Sequence, residues 1–354
     1  MKENLVATMV LQLKVILMDH KIALVQPTPD SGWRNVIYSP PACLIALYSG
    51  LPEKFKERTF MLDGTVSSNE QIISYLQKEQ PKVVGVTSTS YNYNNALAIC
   101  AMARKIGAKV IIGGIHPTYF SKQLAGREYI DHLVVGRGVK TFRDLVLGSS
   151  DKKIIKGSKE DSFPVLDYSV LFHHDSTQPE KYMELFEGVG VMNGVKQLTP
   201  FFTQYGCGNV GDQNCHFCSL PRSMEPRNEK KIKESLLNLL TQTNADYVWI
   251  VDGDLSFNLN HVEKVSRVFN EVREETGRDF GVYCFARADN LLKGGMVKTL
   301  KQLGVGSVFL GYEHGDDQVL KAMNKGTTVE QNLAATDLLN DHGIEVTCGG
   351  LVLG

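Results

Sequence analysis

Along residues 20–148, short apolar runs alternate with longer segments of helical period. Ile22–Val25 is apolar and ends in Gln26-Pro27-Thr28-Pro29, a strand followed by a cluster of breakers. Residues 41–48 read as helix, and residues 58–62 as a second strand closed by Asp63-Gly64. Asn69 is the expected cap of a helix running to about Glu79. Val83–Thr87 reads as a buried strand, and residues 94–106 as a helix closed by Gly107. Residues 110–112 form the fourth expected strand, ending at Gly113-Gly114. The fifth, residues 133–135, ends at Gly136-Arg137-Gly138. Strands this apolar, alternating with helices, predict a parallel sheet covered on both faces. The fold class expected here is α/β, a flavodoxin-like (Rossmann-type) sheet.

The periodicity dissolves over residues 149–199, where polar tracts and Phe163-Pro164 predict a linker rather than a further domain. Alternation returns in residues 200–354. Strands are expected at 201–205, 247–251, 282–285, 307–311 and 345–353. Helices are expected near 229–242, 260–276, 292–303, 316–323 and 329–342. This repeated βα pattern predicts a partial TIM-like (β/α) barrel. A barrel ending on an apolar strand would leave an exposed edge, so the chain is expected to be incomplete at its C-terminal end.

Composition changes this picture little. The chain is 43% hydrophobic and 22% charged, with a formal net charge of −1, which gives no electrostatic case for nucleic acid or an anionic membrane. Residues 5–18 are apolar but are interrupted by Gln12 and Lys14, too short a run for a membrane span. An amphipathic leader helix and a true start at Met18 are both open readings of that segment. Seven cysteines, three of them crowded between residues 207 and 218, do not resemble a secreted disulfide framework and suit a reducing cytoplasm.

Cys207, Cys215 and Cys218 have the spacing Cys-x7-Cys-x2-Cys after an apolar strand. Thiolates are soft ligands that suit zinc or an iron–sulfur cluster. Three are one short of a closed four-thiolate site. A cubane held by three thiolates keeps one iron free for another ligand. Gly206, Gly208 and Gly211 would let the loop fold tightly. Two alternatives remain: structural zinc with His216 or another histidine as fourth ligand, and incidental thiols. Cys43, Cys100, Cys284 and Cys348 lie in apolar segments and are expected in cores.

Cys215-His216-Phe217-Cys218 resembles the Cys-x-aromatic-Cys half of the radical S-adenosylmethionine (SAM) signature. Phe285-Ala286-Arg287-Ala288-Asp289, Gly311-Tyr312-Glu313-His314-Gly315 and Met323-Asn324-Lys325-Gly326 are similar to later segments of that family. Gly113-Gly114-Ile115-His116-Pro117-Thr118 and Val135-Gly136-Arg137-Gly138 resemble the cobalamin-binding domain that precedes the radical core in one subgroup. The first gap of the cysteine motif is longer here than the family's usual one, so residues 208–214 are expected to bulge outward.

The resemblance implies that Cys207, Cys215 and Cys218 hold a [4Fe–4S] cluster whose open iron binds SAM. It implies Phe217 near the adenine, with Asp252, Asp254, Arg287 and Glu313 as SAM contacts. Arg287 would grip the SAM carboxylate or, alternatively, simply pair with Asp289 at the rim. Lys325 is expected as a helix-end charge. Ligands of open parallel sheets bind beyond the strands' carboxyl ends, which gives Thr28, Ser88, Thr89, Gly113, Gly114, His116, Gly136 and Gly138 as cobalamin candidates. The Asp-x-His-x-x-Gly motif that supplies a cobalt ligand elsewhere is missing, so no such lower ligand is expected. The implied function is cobalamin-dependent methyl transfer to an unactivated carbon of a small-molecule or peptide substrate, with flavodoxin or ferredoxin as electron donor. Cyclisation or rearrangement without cobalamin, and a non-catalytic zinc module, are the alternatives. A methylthiotransferase would need three further cysteines upstream, where only Cys43 and Cys100 stand. No residue is assigned as a catalytic acid or base.

Overall fold

The computed structural model describes residues 20–30, 39–158, 163–186, 195–208, 214–221 and 223–348. The segment 5–18, Gly211 and the end of the last expected strand beyond Cys348 lie outside the described residues. The chain divides into two compact units, Met1–Val189 and Gly190–Gly354.

The first unit is built on six parallel strands: β1 (Ile22–Gln26), β2 (Thr59–Asp63), β3 (Val83–Thr87), β4 (Lys109–Gly113), β5 (His132–Val135) and β6 (Ile154–Lys156). Their order, β2-β1-β3-β4-β5-β6, reverses direction between β1 and β3, as in a flavodoxin-like sheet. β1 and β2 are buried almost throughout, which is why they read as continuous apolar runs. One face packs Ile72 and Leu76 of helix Asn69–Glu79, and Ile99 and Ala103 of helix Tyr93–Lys105, on Ala23, Val84 and Val110. On the other face, Gly85 leaves room for the Phe142 ring, which a Cβ there would meet at 2.7 Å.

Several expectations are corrected. The cap of helix Asn69–Glu79 is Ser68, not Asn69. The Gln71 amide donates to Ser68 Oγ at 3.3 Å and the Ser68 amide donates to Gln71 Oε1 at 2.8 Å, a capping box. Helices Ile115–Leu124 and Val139–Val146 were not anticipated. Of residues 149–199, expected as a linker, the described ones up to Phe186 belong to the first unit: they carry the edge strand β6 and then pack back on that unit. There Lys56 pairs with Asp167 at 2.9 Å, and the Tyr182 hydroxyl donates to Asp63 Oδ2 at 2.8 Å. Of the four cysteines expected in cores, Cys100 and Cys284 are fully buried but Cys43 is exposed. The Cys348 side chain lies outside the described residues.

The second unit carries five parallel strands in sequential order: β7 (Leu198–Phe201), β10 (Tyr247–Ile250), β11 (Gly281–Ala286), β12 (Val305–Leu310) and β13 (Glu345–Cys348). Helices Glu229–Gln242, Leu259–Thr276, Met296–Leu303 and Val329–Asp341 connect them. This is the arrangement of consecutive strands in a (β/α) barrel. Phe201 of β7 and Phe269 meet edge to face at 5.7 Å, both fully buried.

The first strand sits earlier than the apolar run 201–205 suggests. The Val251 amide donates to Phe201 O at 2.9 Å, but the Thr203 amide then turns to Asp252 Oδ1 at 2.9 Å and leaves the ladder. Gln204–Tyr205 becomes β8, paired antiparallel with β9 (Glu225–Pro226). The cysteine loop therefore springs from this two-stranded base rather than directly from a barrel strand.

Candidate functional site

The loop closed by β8 and β9 is held at its start by backbone contacts that tolerate no side chain. Gly206 has φ +78, and a Cβ there would lie 1.7 Å from the Ser223 carbonyl oxygen. The Cys207 amide donates to Pro221 O at 3.2 Å. Gly208 carries the Phe257 ring, whose atoms would stand 2.4 Å from a Cβ. Gly253, in the turn after β10, faces Leu220 at 2.7 Å and Cys207 Cβ at 3.5 Å by the same measure. Gly206→Ala is thus expected to cost about 1–3 kcal/mol, since a left-handed φ and a backbone clash coincide. Gly253→Ala should be milder, because the end of Leu220 can swing away. Thermal melting and iron uptake of the two variants check this ranking. Gly206→Ala protein that melts and loads iron like the native chain would contradict it.

Cys215 and Cys218 are anchored from later strands. The Arg287 guanidinium follows β11, is 6% exposed, and donates from Nη1 to Cys215 Sγ at 3.6 Å. The Cys218 amide donates to Cys215 O at 3.2 Å, and the Leu220 amide donates to Cys218 Sγ at 3.5 Å. After β12, the segment 322–325 clamps the loop. The His216 amide donates to Met323 O at 2.9 Å, its Nδ1 lies 3.0 Å from Ala322 O, and Asn324 Nδ2 donates to Asn214 O at 2.8 Å. Asn324 adopts φ +53, which asparagine tolerates better than most residues. The C-terminal ends of β10 and β11 and the segment after β12 thus reach the loop that carries three half-exposed thiols, although no group of three or more His, Cys, Asp or Glu side chains among the described residues is placed to hold a single metal ion.

The expected SAM contacts fare unequally. Phe217 is exposed, and Lys325 Nζ lies 6.0 Å from its ring centroid. Glu313 holds φ +63 and pairs with Lys325 at 2.9 Å, both side chains mostly buried, so Lys325 is no helix-end charge. Their charged atoms lie over Gly311, where a Cβ would meet Glu313 Oε1 at 2.7 Å. Arg287 pairs with Asp289 at 3.0 Å, and its Nη2 donates to Lys325 O at 2.7 Å. Burial opposes its charge, but Asp289, Asp254 and Cys215 together outweigh burial and hold Arg287 above its ordinary pKa.

Asp252 and Asp254 depart from the expectation. Asp252 is 2% exposed; Oδ1 accepts from the Thr203 and Gln204 amides, and Oδ2 accepts from the Thr203 hydroxyl. That hydroxyl also lies 2.8 Å from His261 Nε2. Burial pushes Asp252 up to about 6 and His261 down to about 4. Asp254 accepts from Ser256 and, at 2.8 Å, from Asn290 Nδ2; burial raises its pKa as well. Both carboxylates are committed to donors of the chain itself. Thr203, His261 and Asn290 were not singled out from sequence, because nothing local marks them.

In the first unit, the candidates gather at the carboxyl ends of β1, β3, β4 and β5 as expected from sheet topology. The Ser88 amide donates to Gly113 O at 2.9 Å, and the His116 amide to Ser88 O at 3.1 Å. Gly114 permits this approach: with φ +106, a Cβ would lie 2.6 Å from Ser88 O. The Gly136 amide donates to Thr118 Oγ1 at 3.0 Å, and a Cβ on Gly136 would meet nothing within 4 Å. Gly138 is nearly as open. Thr28 O accepts from Asn95 Nδ2 at 3.0 Å, and the Thr89 amide donates to Asn92 Oδ1 at 2.8 Å. His116 is stacked between Tyr93 and Phe120 at 4.2 and 4.8 Å, and burial lowers its pKa. Its Nε2 is buried and finds no hydrogen-bond partner among the described residues.

Residues 205–354 match the profile of the Radical SAM superfamily, and residues 51–146 match the B12 binding domain. One segment of the chain is thus similar to the radical SAM superfamily and another to the B12 binding domain. An uncharacterized methyltransferase of Pyrococcus horikoshii is 24% identical over 94% of this chain and 74% of its own length. An anaerobic magnesium-protoporphyrin IX monomethyl ester cyclase of Rubrivivax gelatinosus is 23% identical over 94% of the chain and 62% of its own. Two solved structures share the fold. The cobalamin-dependent radical SAM enzyme OxsB, with aqua-cobalamin and SAM bound, superposes with a TM-score of 0.70 at 19% identity. The radical SAM methyltransferase TsrM from Kitasatospora setae does so at 0.67 and 17%. The chain spans about half of OxsB (49%, with 94% of this chain covered) and 67% of TsrM (93% covered).

The two domains imply a [4Fe–4S] cluster, SAM and cobalamin. The donor sets fit: three soft thiols, two of them receiving N–H groups from Arg287 and Leu220, suit a cluster. The open glycines at 136 and 138 leave part of the strand-end rim without steric fill. No helix among the described residues is long and apolar enough to cross a membrane.

Proposed function

We propose that this chain cleaves SAM reductively and transfers a methyl group, with cobalamin, to an unactivated carbon of a small molecule or peptide. The observation that carries this reading is the contact of strand ends with the loop that bears Cys207, Cys215 and Cys218, in a segment similar to radical SAM domains that follows one similar to the B12 binding domain. When bound, the cluster would supply one electron to the SAM sulfonium, releasing methionine and a 5′-deoxyadenosyl radical, while cobalamin would carry the methyl group.

The chain's own residues orient and shelter these groups. Cys207, Cys215 and Cys218 supply the thiolates, on a loop fixed by Gly206 and the 322–325 clamp. Phe217 offers an exposed ring face for the adenine, and Glu313 a carboxylate for ribose hydroxyls or the SAM amine, held in place by Lys325. Asp252 and Asp254 act one step back, fixing the turns that carry Cys207 and Arg287. In the first unit we assign Ser88, Gly113, Gly114, Gly136 and Gly138 to the corrin and its tail, with Thr28 and Thr89 shaping the rim and His116 packing beneath it rather than binding cobalt. A reducing cytoplasm and a low-potential donor such as flavodoxin or ferredoxin complete the reading.

The test is anaerobic reconstitution followed by incubation with SAM and a strong reductant. Production of 5′-deoxyadenosine, together with a corrin spectrum retained after addition of hydroxocobalamin and gel filtration, supports the proposal. A chain that binds only zinc and leaves SAM intact contradicts it, and one that cleaves SAM without retaining corrin removes the cobalamin part alone.

A further inference from the structure

Each of the three guanidinium nitrogens of Arg287 already donates within the chain. Nε, Nη1 and Nη2 donate to Asp289, Cys215 Sγ and Lys325 O at 3.0, 3.6 and 2.7 Å, and the backbone amide donates to Ser256 Oγ at 3.2 Å. The guanidinium is 6% exposed, so water screens its charge weakly. We infer that Arg287 sets the reduction potential of the cluster ligated by Cys215, raising it by holding a positive charge and an N–H donor on that sulfur, rather than gripping SAM. The inference rests on reading the three cysteines as a cluster site.

The physical argument is one of charge. Reduction adds one electron from a low-potential one-electron donor, with no bond broken and no proton moved. A neighbouring cation stabilises the more negative product, and hydrogen bonds to cluster sulfurs act in the same direction. The charged groups around the guanidinium are Asp289, which is partly exposed, and the buried Asp254; the Lys325 ammonium is occupied by Glu313. Asp289 therefore offsets part of the field that Arg287 exerts on Cys215. Removing one group or the other should move the potential in opposite directions, whereas a general loosening of the loop would move both the same way.

The experiment uses the full chain, reconstituted anaerobically and titrated without SAM, with the reduced cluster followed by electron paramagnetic resonance. Arg287→Gln is expected to lower the midpoint potential and Asp289→Asn to raise it. A midpoint unmoved in either variant, or shifts of the same sign, overturns the inference. Should Arg287→Gln not take up iron, Asp289→Asn decides alone: a rise supports the inference, and no change or a fall overturns it. If the native chain itself takes up no iron, the reading of the site fails and this inference falls with it; if iron loads and the potentials disagree, only the inference fails.

Discussion

Exchange of any one of Cys207, Cys215 or Cys218 for alanine is expected to reduce iron after anaerobic reconstitution from about four per chain to well under one. Two thiolates cannot hold a cubane against exchange with solvent, and the fully buried Cys100 and Cys284 cannot replace the third. The fold should survive each change, because the three thiols are half-exposed and lie outside the cores. Circular dichroism near native, with the broad visible absorption of the cluster gone, is the expected pair of results. If one alanine variant kept its full iron content, that cysteine would not be a ligand.

The second large effect concerns the buried trio Asp252, Thr203 and His261. Asp252 titrates near 6 in the fold against about 3.9 when unfolded, so its contribution to stability is present below about 3.9 and is lost as pH rises through 6. His261 titrates near 4 against about 6.5, so its contribution is present above about 6.5 and is lost as pH falls toward 4. The two slopes oppose each other across the same window and nearly cancel in the native chain. Asp252→Asn should uncover the histidine slope: stability falls by about 3 kcal/mol between pH 6.5 and 4. His261→Gln should show the reverse, losing stability as pH rises from 4 to 6. Urea unfolding of the metal-free chain, followed by Trp249 fluorescence in a Trp33→Phe background, reads the second unit separately. Parallel slopes in the native chain and both variants would sink this account.

The elements most legible in the sequence are those whose burial is local. β1, β3 and β4 are apolar on both faces and were located to within about a residue. Helix Ile115–Leu124 was hidden because it opens on Gly114 at positive φ with Pro117 in its first turn, and it kinks at Phe120. β6 has three residues within a polar tract, and only pairing with β5 makes it a strand. The early end of β7 is dictated by Asp252, far along the chain, which takes the Thr203 and Gln204 amides out of the ladder. The cysteine spacing named the loop. Its partners needed the fold: Arg287 on Cys215, the clamp at 322–325, and the Glu313–Lys325 pair all join residues that no periodicity relates.

The central claim is that three cysteines hold a cluster whose fourth iron is open to SAM. Electron paramagnetic resonance of the reduced, reconstituted chain, recorded before and after addition of SAM, tests it most directly. A cluster with an open iron predicts a signal whose shape changes on addition of SAM in the native chain. A cluster signal indifferent to SAM, or no cluster signal at all, would contradict the account.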